Sequence, residues 1–279
     1  MWRGWHKLPG GDAAFDALAN IPSTFSNSSS AGPIDIVSGN GEQLFAIVVD
    51  RIFHESLYDS IIQTAEKEGF KPALLNQGSG QQEIGITLTS VRSGERCIIE
   101  SSALADKLWP QVEQYLPHRD IVPGKRYKDW KAVGINPKFR VLKYSNGDRF
   151  ELHQDGSYYV NSQTHMDKST VEQQSFVTFQ LYLNDGGGAD FIGGATRFIQ
   201  PTKIDIELNS GTRKTSDNSA SIAEVYEVVP RAGRLLLFQH NCWHEGETVT
   251  KGIKYVLRSE VMYSKVQLKH DIKRINMKC

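Results

Sequence analysis

The strongest constraint in this sequence is a change of period near residue 132, where apolar residues stop recurring at helical spacing and begin to alternate. Alternating segments cover 139–144, 149–153, 176–183, 195–200, 225–229, 234–238 and 254–263. A two-residue period sends successive side chains to opposite faces of a strand. Seven short strands with Gly and Asn between them, and no helices to carry crossovers, exclude a parallel α/β sheet and predict an antiparallel sandwich or barrel. The segment FVTFQLYL shows what such a strand can do. Val177, Phe179, Leu181 and Leu183 give one face to packing, while Thr178, Gln180 and Tyr182 give hydrogen-bonding groups to the other, beside Phe176.

The first half of the chain reads differently. Residues 20–33 are rich in Ser, Asn, Gly and Pro and read as a mobile arm, with the folded part starting near Gly41. Phe53, Leu57, Tyr58, Ile61, Ile62 and Ala65 recur at helical spacing and Gly69 supplies a stop, which predicts a helix over 53–69. A second helical pattern, Leu104, Leu108, Val112 and Tyr115, follows the capping residues Ser101 and Ser102; Pro110 should split it into two short turns. The expected organisation is an arm over 1–40 and one domain over 41–279, with helical and strand support in 41–131 and a β core in 132–265. The fold class is α+β, mainly β. Two polar inserts, 161–174 and 203–223, read as surface excursions or lids.

Lys and Arg total 32, as do Asp and Glu, so the formal charge is zero and there is no general attraction to a nucleic-acid backbone. No apolar run is long enough to cross a bilayer, and the N-terminal residues lack the apolar core of a secretory signal. Three cysteines without metal-knuckle spacing suit free thiols in a reducing compartment. The expectation is an intracellular protein, cytoplasmic with the nucleus left open, acting on a peptide or small molecule and not on nucleic acid or membrane; its oligomeric state is not legible.

Chemistry concentrates where one alternating segment ends in His153-Gln154-Asp155. In an extended chain His153 and Asp155 project to one face and can reach one ion. His165-Met166-Asp167 is a second copy of the pattern, but no strand precedes it, so the first is preferred. A third ligand must come from elsewhere, and His240 and His244 both qualify by spacing. Two imidazoles and a carboxylate on one side of a metal leave open positions, as non-haem iron(II) oxygenases require.

The chain resembles the prolyl 4-hydroxylase-like 2-oxoglutarate/Fe(II)-dependent dioxygenases over most of residues 91–263. The resemblance rests on His153-X-Asp155, then Gly193-Gly194-X-Thr196-X-Phe198, then His244-X-Gly246-X-X-Val249-X-X-Gly252-X-Lys254, in that order. It implies a double-stranded β-helix, or jelly roll, and selects His244 as the third ligand. It further implies Fe(II), 2-oxoglutarate and O2, with ascorbate as an accessory reductant, and hydroxylation of a C–H bond coupled to formation of succinate. Asp155 occupies the place a halide would need, so halogenation is disfavoured.

A dicarboxylic cosubstrate needs a deep cation for its far carboxylate. Lys254, ten residues after His244, stands where relatives carry one; Arg258 shares its strand face and is the alternative. Tyr144 and Thr178 resemble the hydroxyl residues that assist. Arg197, Arg92, Arg96, Trp243 and the pair Tyr158-Tyr159 are candidate substrate contacts, and nothing in them names a substrate. A non-catalytic metal-binding jelly roll, lectin- or sensor-like, and a zinc hydrolase are the competing readings; neither gives a reason for Lys254.

Overall fold

The computed structural model describes residues 30–38, 43–73, 92–117, 130–163, 170–199 and 225–265. Along them run β1 (Ser30–Pro33), β2 (Ile36–Val37), β3 (Gln43–Leu44), β4 (Ala46–Asp50), α1 (Glu55–Glu68), β5 (Lys71–Pro72), β6 (Glu95–Glu100) and α2 (Ser102–Glu113). There follow β7 (Trp130–Ile135), β8 (Lys138–Tyr144), β9 (Phe150–His153), β10 (Tyr159–Gln163), β11 (Thr170–Tyr182), β12 (Phe191–Gly193) and β13 (Thr196–Ile199). The last are β14 (Val225–Val228), β15 (Leu235–Gln239), β16 (His244–Gly246), β17 (Val249–Gly252) and β18 (Lys254–Lys265).

The strands form a large sheet, β1-β4-β15-β11-β18-β8-β6-β5 with β10 added on β11 and β7 on β18, and a small sheet, β14-β13-β16-β9; β2-β3 and β12-β17 pair separately as two-stranded ribbons. All pairings in both are antiparallel. The eight strands β8, β9, β11, β13, β14, β15, β16 and β18 pass between the sheets so that β8-β18-β11-β15 faces β9-β16-β13-β14. This is a double-stranded β-helix, the jelly roll that the motifs imply.

Alternation decides which side of the large sheet does what. Val177, Phe179 and Leu181 of β11, Leu235 and Leu237 of β15, and Leu257 and Val261 of β18 join one buried cluster with Leu57, Tyr58, Ile61 and Ala65 of α1 and Leu104, Leu108 and Val112 of α2. Both helices therefore cover the outer face of the sheet. Leu142, Tyr144, Tyr182, Leu236, Phe238 and Val256 point the other way and pack with Phe198 and Val228 of the small sheet. Between these inner faces the polar residues of the alternating strands meet.

Three expectations are corrected here. α2 is one continuous helix despite Pro110. Pro110 lies in its last turn on the solvent side, as does Asp106, whose carbonyl the missing N–H leaves to water. Ser101 caps the helix by accepting from Leu104 N at 3.1 Å. The insert at 161–174 contributes strand at both ends, because Tyr159–Gln163 pairs with Thr170–Gln174; the sequence there has no apolar alternation to announce the pairing. Finally, Ser30–Pro33 pairs with β4, so the sheet begins inside the Ser-rich stretch. The His165-X-Asp167 copy and the insert 203–223 lie outside the described residues. No helix among the described residues is long and apolar enough to cross a membrane.

Candidate active site

His153 closes β9 and His244 opens β16, and the register of the small sheet sets them directly opposite each other. Asp155 lies two residues past the end of β9, so it reaches the site from a connecting segment and not from the strand itself. That segment is tied down by its backbone: Asp155 N donates to the His240 carbonyl at 2.9 Å. Gln154 Nε2 donates to the Asn241 carbonyl at 2.7 Å. One potential ligand atom from each of His153, Asp155 and His244 lies within 4.8 Å of the others. His240, the alternative third ligand, spends its backbone on holding Asp155 and is not among the three that converge.

The donor set suits a cation. His153 Nδ1 lies 2.7 Å from the Glu151 carbonyl, and His244 Nδ1 lies 3.0 Å from the Cys242 carbonyl. A carbonyl only accepts, so each Nδ1 carries the proton and each Nε2 presents a lone pair to the site. His153 Nε2 is buried without a hydrogen-bond partner and stands 3.5 Å from Asp155 Oδ1, while His244 Nε2 stands 3.9 Å from Asp155 Oδ2. Two lone pairs and a carboxylate repel one another unless a cation sits among them. Burial brings His244 down to about 4, which keeps the imidazole neutral and able to donate. Burial is the largest influence on Asp155 and opposes its ionisation, but the Arg258 guanidinium, His244 and His153 together outweigh it and hold the carboxyl well below the usual range. Imidazole and carboxylate in this ratio fit Fe(II) with positions left open.

Beside the three residues lies an open cavity, lined among others by Tyr144, Gln180, Thr196, Lys254, Val256 and Arg258. Lys254 heads β18 and is 5% exposed; its Nζ donates to the Gly194 carbonyl at 2.5 Å and stands 5.5 Å from the ring centres of both Tyr144 and Tyr182. Burial brings this ammonium down to about 7, so an entering anion both finds and reinforces its charge. Thr196 Oγ1 accepts from Gln180 Nε2 at 2.9 Å and from the Tyr182 hydroxyl at 2.7 Å. This trio next to Lys254 was not singled out as a site from sequence, although the polar face of β11 signalled two of its members.

The glycine pair of the second motif has a physical reason. Gly193 has φ +81°, and a Cβ there would lie 2.2 Å from the Thr248 carbonyl oxygen; at Gly194, φ +72°, it would press on Lys254 Cδ at 3.1 Å. Gly193→Ala is expected to cost about 3 kcal/mol in urea unfolding, from left-handed backbone strain plus a clash with immovable backbone. Gly194→Ala should cost less stability and displace the Lys254 side chain.

Residues 139–259 match the family model of the 2OG-Fe(II) oxygenase superfamily. Solved structures similar to this chain include the viral collagen prolyl hydroxylase of Paramecium Bursaria Chlorella virus-1 in its 2OG complex, at 15% identity over 81% of this chain and 98% of that one, TM-score 0.46. A Pseudomonas putida prolyl-4-hydroxylase is 13% identical over 91% and 99% of the two chains, TM-score 0.44. The non-heme alpha ketoglutarate dependent epimerase SnoN from nogalamycin biosynthesis is 12% identical over 79% and 78%, TM-score 0.45. No curated protein matches the sequence.

Of the remaining candidates only Arg258 lines the cavity; Arg197, Arg92, Arg96, Trp243, Tyr158, Tyr159 and Thr178 do not. Arg197 on β13 is held by Glu227 at 3.0 Å, Glu247 at 2.5 Å and Glu245 at 3.9 Å. Three carboxylates leave it little call for an anionic substrate. Arg92 is buried with its guanidinium 4.6 Å from the centre of the Phe150 ring, and that ring stacks on His153 at 3.6 Å. Arg96 is buried in β6. Trp243 and Tyr158 are half-buried and Tyr159 is exposed; Tyr158 N donates to Ser175 Oγ at 2.7 Å. Thr178 and Arg258 both lie on Asp155, Thr178 donating at 2.5 Å. Both therefore stand against Asp155 and not beside Lys254.

Proposed function

We propose that the chain is a hydroxylase that inserts one oxygen atom into an unactivated C–H bond of a peptidyl residue, of the prolyl type, or of a small amino-acid-like or natural-product substrate, while 2-oxoglutarate becomes succinate. The supporting observation is the convergence of His153, Asp155 and His244 beside a cavity with a buried lysine at its end. His153, Asp155 and His244 would hold Fe(II), and Lys254 with Tyr144 would take the far carboxylate of 2-oxoglutarate. Fe(II), the keto acid and O2 together supply the oxidising power when bound.

The protein's own contribution is placement. Backbone carbonyls hold Nδ1 of both imidazoles, so Nε2 of each is the atom turned toward an entering ion. Lys254 supplies a charge at a fixed depth, which sets how a five-carbon diacid lies. Phe150 against His153 and Phe238 against His244, with ring centres 4.7 Å apart in the second pair, keep water from the outer sides of the ligands.

The test is succinate formation from 2-oxoglutarate with Fe(II) and ascorbate under oxygen, together with a substrate screen read by mass. Succinate formation with a gain of one oxygen atom in peptide or metabolite is expected. Succinate without that gain would point to a different oxidative outcome, and no succinate with any substrate would favour a binding module.

A further inference from the structure

The Asp155 carboxylate sits on a connecting segment, yet both its oxygens are held from the centre of the large sheet. Arg258 of β18 pairs with Oδ1, and the Thr178 hydroxyl of β11 donates to Oδ2 at 2.5 Å. β11 and β18 are adjacent, with Gln180 opposite Arg258 and Thr178 opposite Glu260, so the two donors are diagonal neighbours on one inward face. The nearby carboxylate of Glu260 is already occupied: it accepts from Arg140 Nη1 at 2.8 Å and from Asn136 Nδ2 at 2.8 Å. Asp155 is therefore the carboxylate Arg258 serves. Lys254, by contrast, lies against Gly194 and the two tyrosines. The two cations of β18 face the same cavity with different partners.

We infer that Arg258 and Thr178 are positioning residues, which clamp Asp155 in the orientation it needs to bind the metal, and that Arg258 is not the anchor for the cosubstrate's far carboxylate. This rests on the reading of His153, Asp155 and His244 as metal ligands. The carboxylate cannot turn about its Cβ–Cγ bond without breaking one contact or the other. The charge-assisted pair with Arg258 is strong where little water competes, its side chain being 16% exposed and that of Asp155 2%. Outer partners of metal ligands typically contribute 10–100-fold in metal affinity.

Cobalt(II) serves as the probe, because its visible absorption reports ligand geometry without turnover. In Arg258→Ala and Thr178→Val, Co(II) affinity should fall about tenfold or more, with a changed visible band, while 2-oxoglutarate affinity of the Co(II)-saturated protein changes less than about threefold. Thr178→Ser should restore both affinity and band. Thermal unfolding of the metal-free variants checks that they fold; should Arg258→Ala not fold, Arg258→Lys and the isosteric Thr178→Val carry the test. Wild-type Co(II) affinity and band in Arg258→Ala, with 2-oxoglutarate binding weakened tenfold, overturns the proposal and makes Arg258 the cosubstrate anchor. If His153→Ala still binds Co(II) as wild type does, the underlying metal reading fails instead, which is a separate result.

Discussion

His153→Ala, Asp155→Ala and His244→Ala should each abolish succinate formation and weaken Fe(II) or Co(II) binding by more than about a hundredfold, beyond what loss of an outer partner costs. His165→Ala, in the other His-X-Asp copy, should change neither. The three substitutions are separable in the metal-free protein. Removing the His153 imidazole takes away a lone pair that faces a carboxylate oxygen at 3.5 Å, so it relieves repulsion there. Removing Asp155 leaves the Arg258 guanidinium buried without its carboxylate, and breaking one side of such a pair costs about 3 kcal/mol. Urea unfolding without metal should therefore show a clear loss for Asp155→Ala and little for His153→Ala. Equal losses in both would mean that Arg258 finds another partner.

The second large effect is at Lys254. Lys254→Met should weaken 2-oxoglutarate binding by roughly tenfold to a hundredfold, since a charge-assisted hydrogen bond contributes about 1.5–3 kcal/mol. Metal affinity should change little. The pH dependence gives an independent signature. With the free ammonium brought down to about 7 by burial, the charged form that attracts a carboxylate dominates below that pH and is lost above it. Wild-type affinity should be level on the acid side and fall by up to tenfold per pH unit above about 7, until the pKa of the liganded state is reached. Lys254→Met should lack this dependence. Calorimetric titration at several pH values measures it, and a wild-type affinity that rises with pH would mean the lysine is not what the cosubstrate meets.

How much of this was legible in the sequence depends on whether chemistry or geometry carried the signal. The alternation in 176–183 fixed both faces of β11: Val177, Phe179 and Leu181 pack under the helices, and Thr178, Gln180 and Tyr182 face inward. His153 and Asp155 were readable as a pair, but not that Asp155 stands beyond the strand and reaches the site through a backbone bond to His240. The choice between His240 and His244 needed the resemblance; in space, register alone places His244 opposite His153. The second task of β18 was hidden, because strand period says that Lys254 and Arg258 share a face but not that one turns to a carbonyl and the other to a carboxylate. Pro110 misled because its cost depends on where in a helix it falls, and here the last turn on the wet side tolerates it.

The place of β18 bears on how the protein is made. It lies between β11 and β8, in the middle of the large sheet, yet follows every other described strand in sequence. A nascent chain leaving the ribosome thus holds β8 and β11 apart, without their shared neighbour, until synthesis passes residue 265, and closes the sheet only then. Truncation before 254 would remove a central strand and both inward cations together. Asp155 should therefore gain its Arg258 partner only after β18 has been made.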